Sequence, residues 1–276
     1  MLNDVVIVIP YYKDTINNYE KISWQSLLKY YPDIPKVVVM PRGVNSPVSH
    51  ESILKTEYLD PSYFRSVSTT NKYYLNKQFY KRFITYKYIL LFELDCLIVK
   101  DELNYWLSQN FSYIGAPTVK KSLLDRKNRK PNKLKYFCNG GFSLRKVHDF
   151  INVLDSQSIN LLNNYTWREL LKVWKIIKFT RLLYKSYKSK KLAQYFARNY
   201  YQHEDVFWSY FAKLFSKDFK NADSKNLTYL AQFAIDTGPQ FVRSKINYGH
   251  PFAYHKLYAY DHALWDELTD EYKDRL

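Results

Sequence analysis

A chain of 276 residues with 46% hydrophobic content can bury a full core, and it fits one large α/β domain or one domain with an insertion. No apolar run approaches the ~20 residues a spanning helix needs, and two cysteines exclude a disulfide framework. The formal net charge of +16 favours an anionic partner: nucleic acid, a phosphorylated small molecule or an acidic membrane surface.

Val5–Ile9, VVIVI, is a short β-branched run closed by Pro10 and predicts the first buried strand. A strand this early leaves no room for a signal peptide, so a cytoplasmic protein is expected. Tyr11, Tyr12 and Lys13 follow at its carboxyl end, where an aromatic either stacks on a base or covers the sheet edge. Asp14 or Thr15 caps a helix carrying Ile16, Tyr19, Ile22, Leu27 and Leu28, which ends before Pro32. Lys36–Met40 is the second strand, so the chain opens with a right-handed βαβ unit and a Rossmann-like sheet. There is no GxGxxG, and a dinucleotide site is not indicated.

The 44–70 stretch is mixed in pattern, and Asn71–Phe83 predicts one helix with Leu75, Phe79 and Phe83 on a shared face. Tyr88–Phe92 is a continuous apolar run without helical spacing, as in a strand buried on both faces of a mostly parallel sheet. It delivers Glu93 and Asp95, and alternate strand residues share a face. Ligands of open α/β sheets bind beyond the carboxyl ends of the strands. Two acids after a dry strand either mark where it meets water or hold a divalent cation through oxygen.

Phe111–Ala116 predicts another strand, stopped by Pro117, and Val119–Lys135 is a basic loop with eight Lys/Arg against the single Asp125. Phe137–Arg145 carries the glycine pair Gly140–Gly141, which gives either a tight turn into a helix at Lys146–Leu154 or close backbone approach to a ligand. Ser156–Asn164 reads as a linker. Thr166–Asn199 reads as one long helix or two, with Trp167, Leu170, Leu171, Trp174 and Ile177 at helical spacing. Nine basic residues and one acid, Glu169, lie between Arg168 and Lys191; a basic amphipathic helix with tryptophans suggests a membrane surface, or an ordinary helix packed on the core. His203–Phe215 is amphipathic, with Glu204 and Asp205 in its first turn. Gly249–Leu257 gathers His250, His255 and Lys256, and an acidic tail starts at Asp261.

The ordered set ELD at 93–95, NGGFSLR at 139–145, HEDVF at 203–207 and GHPFAYHK at 249–256 resembles the GT-A glycosyltransferases, and more closely the bacterial glycosyltransferase-like domain family of unknown function. The similarity extends over a VIP strand, FY-x-RF before YILLFELD, YIGAP and EDVFW, from Val5 to about Lys256, excepting the basic helices. It implies an α/β fold of GT-A type: a Rossmann-type, mostly parallel sheet flanked by helices, as one catalytic domain over 1–276 with a basic helical insertion at 156–202. It implies a nucleotide-sugar donor, a glycan or lipid-linked acceptor and Mn2+ or Mg2+, with no nucleic-acid partner.

By the same resemblance, Glu93-Leu94-Asp95 stands in the place of the DxD motif, with Glu93 departing from its first acid. Asp95 is then the main metal ligand, with Glu93 beside it and His255 as a third ligand. His250 is the rival of His255, because His250, Ala253 and Lys256 echo an H-x-x-G-x-x-K ending with Ala for Gly. Asn139, Gly140 and Gly141 would line the donor-sugar pocket, and Tyr11, Tyr12, His250 and Lys256 would contact the donor. Helix geometry leaves both acids of the pair open and the family pattern does not choose between them; Asp205 is taken as the base of an inverting transfer and Glu204 as the group orienting the acceptor. The alternative is a non-catalytic basic module binding nucleic acid or an anionic membrane; the expected location is the cytoplasm, with the inner face of the cytoplasmic membrane as a peripheral site.

Overall fold

The apolar runs of the first half become the strands of one sheet. A computed structural model describes residues 2–46, 54–119, 136–159, 176–200, 203–222, 227–244 and 249–273. In it, β1 (Val5–Pro10), β2 (Lys36–Pro41), β3 (Leu54–Leu59), β4 (Tyr88–Phe92), β6 (Tyr113–Val119) and β7 (Tyr136–Lys146) form a six-stranded sheet in the order β3-β2-β1-β4-β7-β6. The first four are parallel neighbours, and β7 runs antiparallel to both β4 and β6. Three short strands, β5 (Cys96–Ile98), β8 (Ala234–Ile235) and β9 (Ala253–His255), make a second sheet in the order β5-β9-β8. The architecture is α/β, a mostly parallel sheet flanked by helices, as the βαβ opening implies.

Tyr88–Phe92 is central and dry. Ile89, Leu90, Leu91 and Phe92 have no exposed surface, and each such side chain contributes roughly 1.5–3 kcal/mol relative to exposure. The chain leaves β4 at Glu93, turns with Cys96 N donating to Glu93 O at 3.0 Å, and enters β5 of the small sheet. The two acids therefore sit at the break between the sheets.

Several boundaries differ from expectation for identifiable reasons. The first long helix, Asn18–Tyr30, is capped by Asn17 rather than by Asp14 or Thr15. Asn17 and Glu20 close a capping box, each side chain taking the other's backbone N–H at 2.9 Å. The single helix expected over 71–83 is two, Val67–Tyr74 and Lys77–Lys81, because Asn76 turns its side chain onto Gln78 N and caps the second. β6 does not stop before Pro117 but runs through it to Val119; β6 is the sheet edge, where a missing N–H costs no ladder bond on the open side. The helix after β7 is Val147–Asp155.

The helix over 203–215 breaks at Phe211 into Glu204–Tyr210 and Ala212–Phe215. Phe207, Phe211 and Phe215 are buried, and so are Trp208 and Ala212, so this segment is enclosed on both sides. Of the basic region, residues 120–135 and 160–175 lie outside the described residues, with Trp167, Leu170, Leu171 and Trp174 among them. The part that is described forms helices Ile176–Tyr187 and Leu192–Arg198. The second is tied into the main core: Ala193 N donates to Ser156 O, and Phe196 packs against Phe207, Phe211 and Phe215 with ring centres 5.3–6.1 Å apart. No helix among the described residues is long and apolar enough to cross a membrane.

Candidate active site

A cleft of about 780 Å3 opens at the carboxyl ends of β1 and β4. Its floor is made by a bulge. Along β7, Ser143 pairs with Gly115 and Asn139 pairs with Ala116, so Gly140, Gly141 and Phe142 are extra residues against β6. The bulge pushes Asn139, Gly140 and Gly141 toward the break after β4, where Glu93 N donates to Gly141 O at 2.9 Å and Asn139 Oδ1 accepts from Gly141 N at 2.7 Å. The glycines do not form a tight turn into a helix; they lie within β7 and are closely approached by the protein's own side chains. A Cβ on Gly141 would lie 2.5 Å from His255 Nε2 and 2.7 Å from Glu93 Oε2, and one on Gly140 would lie 2.3 Å from Glu204 Oε1.

Above Gly141, His255 faces the two acids. It stands on β9 opposite Cys96, with Nε2 3.2 Å from Asp95 Oδ1 and 3.5 Å from Glu93 Oε2. Nδ1 is 2.9 Å from Asp236 Oδ1. His255 is buried, yet Nε2 has no aligned hydrogen bond among the described residues. Burial pulls the His255 pKa down, but the carboxylates of Asp236, Asp95 and Glu93 outweigh it and hold it well above the ordinary value. Burial pushes Asp95 up, but His255 and Lys256 outweigh that and hold its carboxyl below the usual range. Lys256 has a left-handed φ of 56°, which costs a non-glycine residue roughly 1–2 kcal/mol, and it brings Nζ to 3.8 Å from Asp95 Oδ2.

Asp95, Cys96 and His255 present ligand atoms within 4.8 Å of one another. Burial drives the Cys96 thiol well up, which keeps it protonated and leaves carboxylate oxygen and imidazole nitrogen as the donors. A convergent O/N set with a buried nitrogen that makes no aligned hydrogen bond among the described residues, above a backbone position that tolerates no Cβ, fits a divalent cation such as Mn2+. Glu93, Asp95 and His255 are the residues that would hold it.

On the other side of the bulge, Glu204 and Asp205 open the Glu204–Tyr210 helix and both are nearly buried. Glu204 is joined to Arg145 of β7, with Nη2 to Oε1 at 2.7 Å and Nη1 to Oε2 at 3.3 Å. The remaining guanidinium donors go to Ser143 Oγ, Tyr80 OH and Gly140 O, so all five are used. Burial lowers the Arg145 pKa, but Glu204 raises it well above the ordinary value, and the guanidinium stays charged. Burial also pushes Glu204 up against that pairing. Among the described residues Asp205 has no such partner: burial first, then the charge of Glu204, pushes its carboxyl up to about 8, while Oδ1 accepts from Val206 N at 2.7 Å.

Eleven of the residues singled out from sequence line this one cleft: Tyr11, Tyr12, Glu93, Asp95, Asn139, Gly140, Gly141, Glu204, Asp205, His255 and Lys256. His250 does not. It precedes β9, its Nδ1 lies 3.0 Å from Tyr254 OH, and burial with the nearby charge of Arg243 lowers its pKa. Strand alternation puts Ala253 and His255 on one face of β9 and Tyr254 on the other, so His255 is the histidine that meets the acids. Tyr11 is buried, with its hydroxyl bonded to Thr15 O and Glu20 Oε2, whereas Tyr12 is 61% exposed. Sequence reasoning missed Asp236, Arg145 and an aromatic wall of Tyr19 and Tyr258, whose rings stack 4.7 Å apart at 14°. Arg145 ends the NGGFSLR motif, which was a usable signal; Asp236 had none beyond its proximity to β8.

The fold and the cleft define an α/β protein with a carboxylate–histidine centre at the carboxyl edge of its sheet. The chain belongs to the family described as "Protein of unknown function (DUF5672)", whose model matches residues 53–255. No curated protein matches the sequence. The structure is similar to solved glycosyltransferases. One is the galactosyltransferase LgtC in complex with donor and acceptor sugar analogues, at 15% identity over 98% of this chain and 100% of that one, with a TM-score of 0.48. Another is apo GlyE of Streptococcus pneumoniae TIGR4, at 12% identity over 99% of this chain and 64% of that one, with a TM-score of 0.43. A third is core-mannan synthase A of Aspergillus fumigatus in its Mn/GDP form, at 11% identity over 76% of this chain and 70% of that one, with a TM-score of 0.40.

Proposed function

We propose that the protein is a metal-dependent glycosyltransferase of GT-A type, which moves a sugar from a nucleotide-sugar donor to a hydroxyl of a bacterial surface glycan or its lipid-linked precursor. The observation that carries this is the convergence of Glu93, Asp95 and the buried His255 Nε2 over Gly141, in a cleft also lined by Tyr12, Tyr19, Tyr258 and the buried carboxyl of Asp205. Chain 1–276 is read as one catalytic domain, with a basic helical insertion at 156–202 within it.

Glu93, Asp95 and His255 would hold Mn2+ or Mg2+, which when bound neutralises the charge that builds on a diphosphate leaving group. Lys256 adds a fixed positive charge beside Asp95. Burial lowers its pKa, but Asp95 and Glu93 raise it further, so the ammonium is charged across neutral pH. Tyr12 and the Tyr19–Tyr258 pair offer flat faces for a base, while Asn139, Gly140 and Gly141 line the part of the cleft assigned to the donor sugar. Asp205, which also lines the cleft, takes the proton of the acceptor hydroxyl. Its raised pKa makes it a stronger base than an ordinary aspartate once ionised. Attack assisted from the side opposite the diphosphate inverts the anomeric carbon, as in single-displacement glycoside chemistry.

A second feature bears on location. Over 181–191, Arg181, Lys185, Lys188, Lys190 and Lys191 are exposed, with Tyr184 and Tyr187 61% and 77% exposed between them. We place this face against an anionic cytoplasmic membrane, where each basic residue contributes about 1 kcal/mol.

The test is a thermal-shift panel of nucleotide sugars with and without Mn2+, on the wild-type protein and Asp95→Asn. A metal-dependent rise in melting temperature with one donor, lost in the variant, is expected. Binding of polyanions that persists in chelator, with no donor turnover, would instead mark a non-catalytic basic module.

A further inference from the structure

We infer that Asp236, held by Thr118, is a positioning residue that fixes His255 as a metal ligand. The inference rests on the reading of Glu93, Asp95 and His255 as the metal centre and adds the part that orients it. Asp236 follows β8 and is 4% exposed. Its two carboxylate oxygens are claimed from two different sheets. Oδ1 is 2.9 Å from His255 Nδ1 on β9, and Oδ2 accepts from Thr118 Oγ1 at 2.7 Å, from the edge strand β6.

The consequence for His255 is a choice of nitrogen. A carboxylate against Nδ1 keeps a proton there, because Asp236 can only accept. The lone pair of the neutral ring is then on Nε2, the atom 3.2 Å from Asp95 Oδ1 and 3.5 Å from Glu93 Oε2 with no aligned hydrogen bond. Ligating histidines commonly hand their other N–H to a carboxylate, which sets ring orientation and raises ligand basicity. Thr118 adds a second constraint: it stops the carboxylate rotating about its own axis, so the ring plane follows from β6 as well as from β9. A purely architectural role, tying the small sheet to the edge of the large one, predicts a stability loss only.

The experiment titrates Mn2+ alone into the full-length protein, by calorimetry and by loss of the free-Mn2+ electron paramagnetic resonance signal, with folding checked by circular dichroism. Asp236→Asn keeps the shape and removes the charge; its Mn2+ affinity should fall about 10–100-fold. Thr118→Val leaves both the ligands and Asp236 in place and should weaken Mn2+ several-fold, which keeps the inference testable if the Asp236 variant does not fold. His255→Gln gives the level without the imidazole. If wild type binds Mn2+ and folded Asp236→Asn or Thr118→Val binds it equally well, Asp236 is architectural and the inference falls. If wild type binds no Mn2+, the metal-centre reading falls and takes the inference with it.

Discussion

Arg145 and Glu204 form an ion pair buried between the glycine bulge and the helix that carries Asp205, with the guanidinium fully enclosed and bonded to both carboxylate oxygens. Tyr74, Tyr113 and Phe150 surround it at 5.3–5.9 Å from ring centre to guanidinium carbon. Glu204 thus links the helix that carries Asp205 to Arg145 of β7, and in the proposed mechanism Asp205 is the acid that meets the acceptor.

Removing one partner strands a buried charge. Arg145→Met and Glu204→Gln should each destabilise the protein by about 3–5 kcal/mol. Replacing both with Met should recover part of that loss, because neither charge is then left unpaired. Urea midpoints at constant m-value give the comparison; equal midpoints for Glu204→Gln and wild type would mean the pair is not structural.

Gly141→Ala puts a methyl group 2.5 Å from His255 Nε2 and 2.7 Å from Glu93 Oε2, in the space between the proposed ligands. The variant should lose Mn2+ affinity by more than tenfold and lose Mn2+-dependent donor turnover with it. Unchanged Mn2+ binding would place the cation elsewhere.

Asp205 gives a pH dependence with a definite sign. Its folded pKa is about 8, against roughly 3.9 for an unperturbed aspartate, so the folded state binds the extra proton between these values. Stability from this group is full below pH 4 and declines as pH rises through about 8. Asp205→Asn should therefore raise the melting temperature relative to wild type at pH 8, and the gain should shrink toward pH 5. As a base it must be ionised, so kcat/KM of the wild type should climb with pH up to about 8. A rate that is flat from pH 6 to 9 would remove Asp205 from that role, and a product of retained configuration would remove the inverting geometry.

The basic face should bind vesicles containing phosphatidylglycerol, and more weakly as salt shortens the screening length. Reversing Lys185, Lys188 and Lys191 to Glu should abolish co-sedimentation while leaving the circular dichroism spectrum unchanged. Co-sedimentation that survives the reversal assigns the 176–191 segment to packing alone.

The sheet and most of the cleft were legible because their signals are local. VVIVI, KVVVM and YILLF announce dry strands whatever surrounds them, and ELD follows at a strand end. Element boundaries needed finer detail: Asn17 wins the cap because Glu20 lies three residues on, and Pro117 survives in a strand because that strand is an edge. The glycine pair signalled close approach, but that it forms a bulge depends on how β7 pairs with β6. Arg145 looks like a surface residue until the enclosing tyrosines are placed around it. Asp236 is a lone acid whose partners stand 19 residues downstream and 118 upstream, and no window on the sequence contains all three.

The break after β4 has one more consequence. Glu93 follows a strand of the large sheet, while Asp95 directly precedes one strand of the small sheet and His255 ends another. A cation held among them would add a rivet between two sheets already joined by packing and by the Thr118–Asp236 hydrogen bond. The coupling runs both ways: whatever lets the small sheet open costs the ion affinity, and by equal free energy the ion holds the small sheet shut. Amide protons of 96–98 and 253–255 should then exchange more slowly with Mn2+ present, and the local opening of three short strands would set how readily the site fills and empties.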